Sequence, residues 1–293
     1  MDSRLLEYFL ITAREESISK AAEIIHISQP SLSRQIAEME NELHVRLFQR
    51  TSKGIALTEE GILFRKRAKE ILDLVEKTQE ELQESDHELE GKIVIGCGEL
   101  NVMHEVADMI HKFQQKHPRV TFRIITANSN EIMDDMDKGL IDLGILLQPV
   151  NLTRYEYYSL KTVENWAAAM RADDPLCRKQ TVCPEDLVER NLIFPGRAET
   201  TTELAHWFGP LYDSLHITIT DNLAANNVVL IEKGMEIALG VEGPYLNLDP
   251  AKFQIRRLEP ALQYKCVLAW KRGLPASRAA RKMIEEINGE KEV

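Results

Sequence analysis

Between Ser28 and Arg34 the sequence reads SQPSLSR, a run of side chains suited to reading nucleic acid. The amide of Gln29 can pair with the N6 and N7 edge of adenine, and the guanidinium of Arg34 with O6 and N7 of guanine. Ser31 and Ser33 are short hydroxyls that can bind phosphate and fix register. Pro30 sits where a helix's first turn needs no N–H. Two cations follow, Arg50 and Lys53, beside the turn Thr51-Ser52-Lys53-Gly54, within reach of the minor groove or the backbone. No comparable set for covalent chemistry appears. The chain has no GxGxxG after a strand, no GxxxxGK[ST], no HExxH and no GxSxG, so an enzyme is not expected. Cys97, Cys177, Cys183 and Cys266 are scattered, and His104, His111 and His117 lack the i, i+4 pair of a helical metal site. No cofactor and no metal are expected.

Elements must present these groups. Ala21, Ala22 and Ile25 fall on one helix face, and Leu32, Ile36, Met39 and Leu43 on another. The join His26-Ile27-Ser28 lies between them, with Ser28 as N-cap of the second helix. Helix, tight turn and a second helix with a polar and cationic N-terminal face form a helix-turn-helix. Residues 3–14 predict a preceding helix with Leu5, Leu6, Phe9 and Leu10 inward. Two short extended pieces around Lys53-Gly54 predict a wing, and Thr58 caps the next helix. That helix is predicted to run to about Leu89. Its stripe Phe64, Ala68, Ile71, Val75, Thr78, Leu82, Ser85, Leu89 has the heptad spacing of a dimer seam.

The formal net charge of −11 argues against a nucleic-acid binder until it is divided. Residues 1–60 hold seven Lys/Arg against ten Asp/Glu. Attraction to DNA must therefore be local, from Arg34, Arg50 and Lys53, with Glu38, Glu40 and Glu42 turned away from phosphate later on the helix. No apolar run approaches a membrane span, the first residues lack the order of a signal peptide, and the cysteine usage points to a reduced cytoplasm.

After Gly91 the pattern changes. Strands are predicted at Lys92–Gly96, Val120–Ile125, Asp142–Leu147, Trp166–Met170, Leu192–Phe194, His216–Thr220, Glu236–Val241 and Lys265–Trp270. Helices are predicted near Val102–His117, Glu131–Lys138, after Pro184, Thr201–Gly209, Leu223–Lys233 and Ala276–Asn288. Alternation of the two predicts parallel pairing with right-handed crossovers. Two such sets in succession predict two lobes, with a small-ligand cleft beyond the carboxyl ends of the strands.

Over essentially its full length the chain resembles the LysR-type transcriptional regulators. The residues that carry the resemblance are Leu5-Leu6-Glu7-Tyr8-Phe9, Ser17 to Ala22, Ile27 to Ile36, Leu43, Leu47-Phe48-Gln49-Arg50 and Leu57 to Gly61. The resemblance implies an α/β chain with an all-α winged helix-turn-helix, a long linker helix and a two-lobed periplasmic-binding-protein-like effector domain. Expected boundaries are 1–58 for the DNA-binding domain, 59–90 for the dimerisation helix and 91–293 for the effector domain. Within the last, lobe I covers about 91–160 and 266–293, and lobe II about 161–265. Implied partners are operator DNA, a small-molecule effector between the lobes that alters promoter contacts, RNA polymerase, and further copies of the chain in a homodimer and homotetramer.

By the same resemblance Gln29, Pro30, Ser33 and Arg34 face the major groove and Arg50 and Lys53 belong to the wing. Effector candidates at strand ends are Cys97, Gly98, Glu99, Asn101, Asn128 and Leu147 in lobe I, and Pro195, Gly196, Arg197, Thr200 and Glu242 in lobe II. Arg197 beside a helix N-terminus suits an anion. Glu99 stands where family members often carry Ser or Thr, which favours an amine or hydroxyl on the effector.

Overall fold

In the computed structural model, residues 2–51, 54–83, 89–234, 237–273 and 277–289 are described. The chain divides into two compact units, residues 1–83 and 84–293. In the first, α1 spans Ser3–Glu15, α2 Ile18–Ile25 and α3 Gln29–Leu43; β1 (Phe48–Thr51) and β2 (Gly54–Leu57) form an antiparallel wing, and α4 spans Glu59–Gln83. Local chemistry sets these limits. Ser17 caps α2 by accepting from Lys20 N, and His26 ends it in the left-handed conformation (φ 59°). Ser28 Oγ then accepts from Ser31 N at 3.3 Å and starts α3.

One core holds this unit together, with Leu6, Phe9, Ala21, Ala22, Leu32, Ile36, Met39, Leu47 and Ala68 buried in it. Phe9 sits at its centre, 5.2 Å from the ring of Phe48 and 4.8 Å from that of Phe64. Glu40, grouped by the sequence pattern with the outward-facing acids of α3, is buried instead. Its Oε1 accepts from Leu47 N (2.7 Å) and Phe48 N (3.0 Å), and Arg46 pairs with Oε2 at 3.0 Å. The carboxylate ties the end of α3 to the start of the wing.

The expected seam on α4 divides in two. Ala68 is fully buried and Phe64 and Leu72 pack against the unit's own core, because the first turns of α4 close the cluster around Phe9. Ile71 and Leu74 are exposed. The side chain of Leu82 and all of Ser85 lie outside the described residues. Leu89 is not helical and packs against the core of lobe I.

The second unit is built on strands β3 (Glu90–Cys97), β4 (Arg119–Thr126), β5 (Leu143–Leu147), β6 (Tyr155–Arg171), β7 (Thr181–Val182), β8 (Asn191–Pro195), β9 (His216–Asp221), β10 (Ile237–Val241), β11 (Phe253–Leu258) and β12 (Gln263–Lys271). Their order is β4-β3-β5-β12-β6-β10-β8-β9, with β11 pairing β6 and β7. Its helices are α5 (Met103–Lys116), α6 (Ser129–Asp137), α7 (Ala198–Phe208), α8 (Asn227–Glu232) and α9 (Arg278–Gly289).

Pairing is parallel among β4, β3 and β5 and among β10, β8 and β9, as alternation of strand and helix requires. It is antiparallel where β12 meets β5 and β6 and where β10 and β11 meet β6, so the expected parallel arrangement is in fact mixed. The cause is one 17-residue strand, β6, that runs through both lobes. Residues 155–165 pair with β12, and residues 166–171 with β10 and β11. The pattern showed only its apolar end, Trp166–Met170, since the first half alternates with Glu, Ser, Lys and Thr.

Strand alternation divides each core into two faces. In lobe I, Ile93, Ile95, Phe113, Ile145 and Met283 pack on one side and Val94, Ile132, Met136 and Leu146 on the other. In lobe II, Trp166, Phe194, Leu204 and Phe208 lie opposite Ala169, Ile193, Ile231 and Tyr245. Among the described residues no helix is long and apolar enough to cross a membrane.

Candidate DNA-reading face and interlobe cavity

On α3 the buried face is Leu32, Ile36 and Met39, which leaves Gln29, Pro30 and Arg34 exposed and Ser31 and Ser33 half-buried. Gln35 Nε2 donates to the Ser31 hydroxyl at 3.4 Å. Arg34 is held along the helix by Glu38, with Nε 3.3 Å from Oε1, and both side chains are largely in solvent. Such a pair is weak and easily exchanged for a phosphate or a base edge. Arg50 is exposed on β1, whose partner strand is pinned to the first turn by Ile55 N donating to Glu16 O at 3.1 Å. Lys53 lies outside the described residues.

A second site lies between the lobes of the C-terminal unit, a cavity of about 680 Å³ including its open mouth. Eight of the expected residues line it: Gly98, Glu99, Asn128, Leu147, Pro195, Gly196, Arg197 and Thr200. Cys97, Asn101 and Glu242 do not. Cys97 faces the lobe I core, where burial and the neighbouring Glu164 push its thiol up to about 12. The backbone of Asn101 lies against Gly243, where an added Cβ would come 2.6 Å from the Asn101 main-chain nitrogen. Glu242 is buried, with Arg257 Nε and Nη2 each 2.9 Å from its oxygens and Asn165 Nδ2 at 2.6 Å.

Pattern reasoning missed Leu100 and Ser129 in lobe I and a larger set in lobe II. Asp221 ends β9, Leu239 and Gly240 belong to β10, and Trp166 stands in β6 at the junction of the lobes. Asp221 could have been found as the polar residue closing the β-run His216–Thr220. Trp166 was visible only as a core strand residue.

Several bonds cross the cleft. Arg197 donates from Nη1 to Leu147 O at 3.2 Å and from Nη2 to Pro149 O, while its Nε pairs with Glu199 at 3.2 Å. Asn130 Nδ2 reaches Glu199 at 3.4 Å, and Ala225 N donates to Glu99 Oε2 at 3.0 Å. The Glu199 carboxyl is held below its usual range by its own backbone N–H, by Asn130 and by Arg197, against the effect of burial. Asn128 caps α6 in a reciprocal capping box with Glu131. Glu99, Asn128 and Arg197 therefore already hold structural bonds, and three of the five N–H groups of Arg197 are taken.

No group of His, Cys, Asp and Glu among the described residues could hold a metal ion. His117 bonds Glu286 at 2.9 Å and His111 bonds Gln115 at 3.0 Å. Cys177 and Cys183 are free thiols, and burial raises the pKa of Cys177, whose Sγ donates to Arg171 O at 3.2 Å.

A winged helix-turn-helix followed by a two-lobed α/β unit with a cavity between its lobes defines the class of bacterial transcription regulators that join a DNA reader to a ligand-binding domain. The family model described as bacterial regulatory helix-turn-helix protein, lysR family, matches residues 3–62, and that described as LysR substrate binding domain matches residues 86–291. The chain belongs to the LysR family. It is 35% identical over 150 residues to the HTH-type transcriptional regulator BsdA of Bacillus subtilis (strain 168), covering 50% of each chain. With YvbU of the same organism it shares 28% over 284 residues, covering 96% of this chain and 95% of the relative. Alignment with YbhD of Escherichia coli (strain K12) is 29% identical and spans 64% of this chain but only 59% of that protein. The crystal structure of CbnR, a LysR family transcriptional regulator, superposes with a TM-score of 0.76 at 17% identity, over 99% of both chains.

Proposed function

We propose that the chain is a sequence-specific regulator that binds operator DNA as a homo-oligomer in the cytoplasm and whose promoter contacts change when a small molecule occupies the interlobe cavity. The observation that carries the reading is α3, buried along Leu32, Ile36 and Met39 and exposed along Gln29, Pro30 and Arg34. A helix so disposed offers its N-terminal residues to the major groove, with Gln29 and Arg34 reading base edges and Ser31 and Ser33 on phosphates. The wing, with Arg50 and Lys53, adds backbone contacts. A structural relative, CbnR, has been crystallised complexed with its target DNA, which supports the same use of the unit here. Ile71 and Leu74, exposed on α4, are the apolar residues we assign to contact with a second copy, and a homotetramer follows if the C-terminal units also associate. RNA polymerase would be met at the promoter.

Selection from genomic fragments followed by footprinting tests the reading. We expect a protected site with two half-sites, and Arg34→Ala should reduce discrimination against mismatched sites by about 1–3 kcal/mol while non-specific binding persists. Failure to protect any site across the fragments would overturn it.

A further inference from the structure

From the electrostatics of the interlobe cavity we infer that its ligand is an organic cation, an amine on an apolar body, and not a carboxylate. The inference rests on the reading of that cavity as a ligand site. Its apolar walls include Leu100, Leu223, Leu239 and Pro244, which suit an apolar body on the ligand. The charged groups on the lining are Glu99, Asp221 and Arg197. Arg197 is already engaged: three of its five N–H groups go to two carbonyls of lobe I and to Glu199.

The two carboxylates differ from it. Glu99 accepts the backbone N–H of Ala225 at 3.0 Å, and Asp221 accepts Asn227 Nδ2; neither has an ion-pair partner among the described residues. Burial raises the pKa of Asp221, against the hydrogen bond from Asn227, as befits an acid waiting for a counter-charge. A carboxylate ligand would enter beside two like charges, with the lining cation already shared with Glu199. An ammonium brings three donors to the same place. Trp166 lines the cavity at 2% exposure and adds apolar wall at the junction of the lobes.

The test uses the full-length protein and three probes with one ring and different heads: tyramine, tyrosol and 4-hydroxyphenylacetate. Calorimetric titration should show tyramine binding at least about tenfold more tightly than the acid. Glu99→Gln and Asp221→Asn keep an acceptor oxygen for Ala225 and Asn227 but remove the charge. Each should weaken tyramine about tenfold and leave tyrosol within about threefold. Gly240→Leu supplies the site control, because a Cβ there meets nothing within 4 Å and the side chain would fill the cavity. It should abolish binding of all three probes. Tighter binding of the acid, lost in Gly240→Leu, would overturn the cationic class while leaving the cavity as the ligand site. Tyramine binding indifferent to Gly240→Leu would overturn both, and no binding by any probe would overturn the class.

Discussion

Glu40 shows how one residue decides a local structure. With Leu47 N at 2.7 Å and Phe48 N at 3.0 Å on the same oxygen, it satisfies two backbone donors at the turn from helix to wing. Replacement by Ala would leave those donors buried without partners, a loss of about 2–4 kcal/mol to the N-terminal unit. Denaturant unfolding should show it, with Glu38→Ala, a solvated neighbour, within about 0.5 kcal/mol of wild type. The sequence could not separate the two, since both are glutamates on a helix and only the returning strand singles one out. Glu164 gives a pH prediction. It is fully buried on β6 with Oε1 on Val102 N (2.7 Å) and Oε2 without a partner, and burial raises its pKa. As pH rises through the ordinary carboxylate range, the unfolded chain releases this proton first. Stability of the C-terminal unit is therefore greater below that range and declines above it until the native group ionises. Glu164→Gln should remove this component, so that urea melts of variant and wild type diverge in the variant's favour as pH rises above the ordinary carboxylate range. Parallel curves would contradict the assignment.

At the scale of elements, helices were legible because caps and periodicity state their limits locally. Ser17, Ser28 and Thr58 stand where side-chain caps are observed, and Thr58 Oγ1 accepts Gly61 N at 3.0 Å. Strands were legible only where apolar. The polar half of β6 and the Arg-rich β11 were hidden because their partners lie nearly 100 residues away and their exposed faces carry charge. The same limit split the cavity. Strand-end turns named eight of its residues, whereas Trp166 and Asp221 enter it through the course of β6 and β9. Gly61 marks an element contact that composition does not reveal. On the first turns of α4, a Cβ there would lie 2.1 Å from the Leu47 carbonyl oxygen, which is backbone and cannot move aside. Gly61→Ala should push α4 from the wing at about 2 kcal/mol, lowering the melting temperature of the unit and its DNA affinity together. Unchanged melting with full affinity would show that this contact is not held in solution.

At the scale of the molecule, the acidic balance sets the character of DNA binding. A formal charge of −11, with seven basic against ten acidic residues in the first 60, gives the chain no broad attraction to phosphate. The cations assigned to DNA are Arg34, Arg50 and Lys53, and Arg34 must first leave Glu38. Two copies on one operator bring six such cations, of which Arg50 and Lys53 supply four phosphate contacts, and the logarithm of affinity should fall with the logarithm of salt concentration at a slope of roughly −4. Arg50→Ala removes one contact per copy, and the slope should become shallower by about 2 for two copies, with the loss of affinity uniform across operator variants. Glu38→Gln has the opposite sign: freeing Arg34 and deleting an acid near phosphate should strengthen binding severalfold at low salt, with the gain shrinking as salt rises. Titrations across salt concentrations measure all three quantities together. A slope near −10 in the wild type would require cations beyond these three and place further DNA contacts elsewhere on the chain.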